Sequence, residues 1–105
     1  MDLKTAVMAF KVKGDKENIR ALAFQVSQIT TRCVQHNIKL IDAIIIFGGV
    51  KDILREVKKL DRKERFDYII IYAPRQIATT EQEYQDFVAT MREEYQVEVL
   101  PYRQG

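Results

Sequence analysis

The residues of this sequence best suited to chemistry are cations and hydroxyls placed where apolar runs end. Lys11 and Lys13 close the first apolar run, Lys51 follows two glycines, and Arg75 opens the polar stretch RQIATT with Gln76, Thr79 and Thr80. Lys16 and Arg103 complete the set. Such groups contact anions, above all phosphate oxygens. They suit acid/base work poorly, because that needs carboxylates or imidazoles of tuned pKa. Asp15 and Asp52 are the neighbouring acids, so the set is net cationic.

Nucleophilic chemistry has thin support. Ser27 is the only serine, and it falls inside a helical pattern, where its hydroxyl bonds back to a backbone carbonyl rather than attacking a substrate. No neighbouring base activates it. Thr5, Thr79 and Thr80 are the weaker substitute hydroxyls. His36 falls at a helix C-terminus, where the dipole favours an imidazolium and a capping role. One cysteine, Cys33, and one histidine fall short of any zinc pattern, and Cys33 has no partner for an internal disulfide. The stretch FGGVKD lacks the glycine, lysine and hydroxyl spacing of a P-loop, and no G-x-G-x-x-G follows the first strand. No metal or cofactor is expected.

The elements that must position these groups read clearly. Residues 5–12, TAVMAFKV, form a first strand that stops at Gly14 and Asp15. From Lys16 to about His36, Ile19, Leu22, Ala23, Val26, Ile29 and Cys33 recur at helical spacing and predict a core face; Asn37 accepts the left-handed conformation that ends a helix. Residues 38–47 are β-branched and meet Gly48 and Gly49, and Val50, Ile53, Leu54, Val57 and Leu60 mark a second helix. The run DYIIIYA is continuously apolar, as in strands buried on both faces, and Pro74 ends it. Thr80 with Glu83 forms a capping box for a third helix carrying Tyr84, Phe87, Val88, Met91 and Tyr95, and VEVLPY is a last strand. The order βαβαβαβ predicts a single three-layer α/β domain with a four-stranded parallel sheet, its anion-suited loops at 13–16, 48–51, 74–80 and 101–104 on one edge.

At 105 residues, 47% hydrophobic and 30% charged, the sequence fits one globular domain. The net charge of +2 is too small to mark a nucleic-acid binder by itself. No run spans a bilayer and the first ten residues lack the order of a signal peptide, so a cytoplasmic protein with no membrane partner is expected.

In this layout the sequence resembles the catalytic domain of serine recombinases, the resolvases and invertases. In that family a helix with a glutamine precedes a strand, a glycine, a helix, and an apolar strand followed by Asp-Arg-Leu-x-Arg and another helix. Gln25 or Gln28, Gly48 or Gly49, FDYIIIYAPRQIATTEQEYQDFVATM and YQVEVLPY fall in that order, across most of residues 5–102. The family's first strand ends in Tyr-x-Arg-x-Ser; here AFKVK puts Lys11 on the arginine and Lys13 on the nucleophilic serine. Matched by the apolar residue, Arg75 falls on the aspartate, Gln76 on the first arginine, Ile77 on the leucine and Thr79 on the second arginine. Sliding by one residue puts Arg75 on the first arginine but Ala78 on the second, and the family's further arginine falls near Val50.

The resemblance therefore implies a resolvase-like, flavodoxin-related fold without its catalysis. Lys11, Lys13, Gln76 and Thr79 are degenerate catalytic positions, and Lys11, Lys13, Lys16, Lys51 and Arg75 are candidates for anion or DNA-phosphate contact. The family's dimerising helix and DNA-reading domain have no counterpart in these 105 residues. The expectation is an interaction or regulatory module that binds a protein partner or itself and touches DNA weakly. It would be linked to DNA recombination or a mobile element. An active recombinase catalytic domain, and a flavodoxin-like module for a small anion, are the alternatives.

Overall fold

Apolar runs become strands wherever β-branched residues dominate, and the segments of helical period become helices. A computed structural model describes residues 3–12 and 16–103. The strands are β1 (Lys4–Lys11), β2 (Ile38–Ile46), β3 (Tyr68–Ile71) and β4 (Glu98–Pro101). The helices are α1 (Lys16–Gln35), α2 (Val50–Asp61), α3 (Pro74–Ile77) and α4 (Glu81–Tyr95). All three strand pairings are parallel, in the order β2-β1-β3-β4.

Two cores sandwich the sheet. On one face Val7, Ala9, Ile44, Ile46, Ile69 and Ile71 meet Ile53 and Val57 of α2, Ile77 of α3, and Phe87 and Met91 of α4. On the other, Ala6, Met8, Phe10 and Ile70 meet Ile29 and Cys33 of α1. The path from β1 to β2 runs one way across the sheet with α1 on one face. The paths to β3 and β4 run the other way with α2 and α4 on the opposite face, as connections of a single hand require. The result is the three-layer α/β architecture that the pattern implies.

Four details depart from the sequence expectation. Ile19 and Ala23, placed on the core face of α1, are exposed. Among the described residues helix α1 lies alone on its face, so its inward stripe narrows to Leu22, Val26, Ile29 and Cys33 and no second described helix covers its flank. The loop after β3 contains α3, whose four residues give too short a window for periodicity to register. Helix α4 ends on Gln96 at φ 55°, a left-handed residue that no glycine or asparagine announces, whereas Asn37 at φ 57° ends α1 as expected. In β2 one extra residue, Ile41, interrupts the register between Ala6↔Leu40 and Val7↔Asp42. This bulge turns Ile44 and Ile46 toward the α2 and α4 core.

Candidate functional site

Parallel strands deliver their following loops to one edge, and in open α/β sheets ligands gather where the chain leaves neighbouring strands in opposite directions. Here that switch point lies between β1 and β3. The loop Gly48–Gly49, the start of α2, helix α3 and the start of α4 line a cleft of about 810 Å³ beside it.

Local chemistry shapes the cleft. The backbone N–H of Gly48 donates to Asp52 Oδ2 at 2.9 Å, and Asp52 also pairs with Arg55 at 3.3 Å. A β-carbon at Gly49 would stand 3.0 Å from the carbonyl oxygen of Ile77, so glycine lets the turn pass close to α3. Thr80 Oγ1 accepts from the N–H of Glu83 at 3.0 Å, the expected N-cap of α4. The Glu83 carboxylate returns to the N–H of Thr79 at 3.0 Å, one residue earlier than a capping box places it.

Lys11, Lys51, Arg75 and Thr79 all line this cleft, with Thr80 beside them. Lys11 is half-buried, whereas Lys51 and Arg75 are exposed. Lys13 and Asp15 lie outside the described residues, and of Lys16 only its place at the start of α1 is described. Arg103 sits at the same edge, its N–H donating to the carbonyl of Tyr72 at 2.8 Å, but it does not line the cleft. Asp52, Glu83 and Asp86 line it as well, so its described charges balance, three cations against three acids. Sequence reasoning took Glu83 only as a helix cap and missed Asp86, because both lie in or beyond the first turn of α4, not in the loops.

Gln76 does not offer its head group to an anion in the cleft. Its Nε2 donates to Gln25 Oε1 of α1 at 3.1 Å, bridging the sheet edge, and its own Oε1 is buried without a partner. Thr5 falls at the opposite edge of the sheet, where its N–H and hydroxyl donate to Asp67 Oδ2 at 2.8 and 3.3 Å. Ser27 is exposed on α1, and its carbonyl accepts from Thr31.

A second cavity, about 490 Å³, runs between α1 and the adjoining face of β3 and β4. It has an aromatic end. The Arg32 guanidinium lies 4.0 Å over the Tyr102 ring and donates to the Tyr102 carbonyl at 3.2 Å, and Tyr102 stacks on Tyr72 at 5.7 Å. The Tyr72 hydroxyl donates to Gln28 Oε1 at 3.4 Å. His36 lines this cavity, as does Cys33, whose thiol pKa burial pushes up. No sequence signal marked the cluster, because its members are 28, 32, 72 and 102 and meet only through the fold.

Among the described residues no group of three metal-ligating side chains is placed to hold an ion, and no helix is long and apolar enough to cross a membrane. Comparison with protein-family models, curated proteins and solved structures found no match.

Proposed function

We propose that this chain is a catalytically inactive serine-recombinase-like domain that works by binding a protein, as an interaction or regulatory module linked to DNA recombination. One observation carries the reading: Gln76, which aligns with the family's first arginine, spends its amide on Gln25 rather than on the cleft. Strand exchange needs a nucleophilic hydroxyl and several guanidiniums preorganised around the charge that develops on phosphorus. Lysine stands at the serine position, Lys13, and at the first-strand arginine, Lys11. An ammonium does not reproduce the bidentate fork of a guanidinium. Arg75 is the one guanidinium among the residues lining the cleft. Thr80 is committed to capping α4, and Glu83, the adjacent carboxylate, to the Thr79 amide.

The test is incubation of the natural protein with supercoiled DNA, followed by a denaturing gel. The expected result is neither nicks nor a protein-linked strand. A covalent product that disappears on Thr79→Ala, Thr80→Ala or Ser27→Ala overturns the reading in favour of an active recombinase domain.

A second reading, a flavodoxin-like module for a small anion, draws on the convergence of Lys11, Lys51 and Arg75 at the switch point. Inorganic phosphate that shifts the amide resonances of Gly49, Val50 and Lys51, and leaves those of β4 in place, supports it.

A further inference from the structure

The two edges of the sheet are finished differently. Exposed strand edges present unpaired N–H and C=O groups, and proteins blunt them with short strands, charges and proline. Strand β4 is blunted in all three ways: it has four residues, begins at Glu98 and ends at Pro101. Strand β2 has nine, and its charges, Lys39 and Asp42, are confined to its first half. The second half reads AIII, Phe47 follows it, and none of these residues is charged.

Ile44 and Ile46 face the α2 and α4 core, so alternation puts Ala43 and Ile45 on the α1 face, with Phe47 just beyond the end of the strand. There Ile45 is 54% exposed and Phe47 72%. Beside them runs a flank of α1. Gln25, Gln28 and Arg32 face β3 and β4, as their contacts with Gln76, Tyr72 and Tyr102 establish. Ile19, Ala23, Thr30 and Val34, at helical spacing on the other flank, therefore overhang β2, and Ile19 and Val34 are 63% and 72% exposed.

We infer that a second copy of this chain covers this surface, β2 pairing antiparallel with β2 of the partner about a two-fold axis at Ile45. The backbone supports that register. The carbonyl of Ile46 accepts from Val12 at 2.8 Å, so it faces β1, and the backbone groups of Ala43 and Ile45 face outward. The outward N–H of Ala43 has only its neighbour's carboxylate, Asp42 Oδ1 at 2.8 Å, which pairing displaces. With the axis at Ile45, that residue exchanges both backbone bonds with its own copy. Ala43, the smallest side chain of the run, then lies opposite Phe47, the largest, and the free flanks of the two α1 helices come together on one face.

Four large side chains per copy, at roughly 100 Å² each, with the strand edges added, bring the buried total to about 1,000 Å², the low end of specific interfaces. An interface at that low end suits a dimer in exchange with monomer, and micromolar concentration is the range in which to look for it. The dimer names the partner for the module proposed above and rests on that reading for its role.

Sedimentation equilibrium on the natural chain, with circular dichroism to confirm folding, tests it. The expected result is a mass moving from 12.3 kDa toward twice that value across the micromolar range. Ile45→Glu sets like charges on the axis and gives a monomer, Ile45→Lys does the same, and an equimolar mixture of the two regains the dimer. Ile45→Cys supplies a measurement that tolerates a poorly folding charged variant. Directly opposed residues sit about 5.5 Å apart at Cα, within disulfide reach, so mild oxidation links two Ile45→Cys chains, whereas Lys39→Cys does not link. A natural chain that stays monomeric at high micromolar concentration, or a dimer indifferent to Ile45→Glu, overturns the inference. A monomer inert on DNA leaves the module reading standing without this interface, and a dimer that links covalently to DNA does the reverse.

Discussion

Residues 37 and 33 illustrate how single side chains answer to backbone and burial. Asn37 holds φ 57°, where a β-carbon is disfavoured and asparagine is among the few tolerated residues. Asn37→Ala is expected to cost about 1 kcal/mol and Asn37→Gly to be neutral or slightly stabilising, read from urea midpoints. Cys33, 2% exposed, and Tyr84 have pKa values raised from 9.0 and 10.0. Burial is the cause for both, with the Glu81 carboxylate adding to it for Tyr84. The neutral forms are the native ones, so the unfolded chain ionises first. Their stabilising contribution is complete below pH 9.0 and is lost as pH rises through the raised folded values. We expect the denaturant midpoint to hold at neutral pH and to fall above pH 9.0, with Tyr84→Phe making the fall shallower. A midpoint that rises there contradicts the burial argument.

At the scale of elements, what was legible was what a local rule dictates. The capping pair of Thr80 and Glu83 placed the start of α4 correctly, because a β-hydroxyl and an amide three residues on form one bond whatever surrounds them. Thr80→Ala is expected to cost about 1 kcal/mol in thermal or urea unfolding, and Thr80→Ser much less. The runs of β2 and β3 were legible because three consecutive isoleucines, at 44–46 and 69–71, favour a buried strand. Helix α3 was not, since four residues complete barely one turn; tertiary anchoring through buried Ile77 holds it. Ile19 was misassigned for a different reason. Periodicity shows which side chains share a face, but not whether a neighbouring element covers it, and here α1 has none. The same limit applied to the candidate site. Lys11, Lys51, Arg75 and Thr79 were foreseeable from their places after strands, while Gln25 meeting Gln76 depends on how α1 and α3 lie across the edge.

The whole molecule's dealings with DNA follow from how its charge is distributed. A net charge of +2 on 105 residues generates little long-range attraction, and the cleft sets Lys11, Lys51 and Arg75 among Asp52, Glu83 and Asp86. Each phosphate neutralised releases counterions and contributes about −0.9 to the slope of log affinity against log salt, so the three described cations of the cleft account for a slope near −3. The expected affinity for DNA is no tighter than the roughly 10⁻⁴ to 10⁻⁶ M of non-specific binding, with no preference among sequences. Fluorescence anisotropy on two duplexes of unrelated sequence, across a salt series, measures both quantities. Alanine at Lys11, Lys51 or Arg75 should each lower the slope by about one and weaken both duplexes equally. Asp86→Asn should strengthen binding, because that carboxylate bonds only Gln82 among the described side chains and its charge opposes the phosphate directly. Binding that persists at moderate salt requires contacts beyond this cleft, and binding that separates the two duplexes requires contacts to the bases, which would place the chain among sequence-reading proteins.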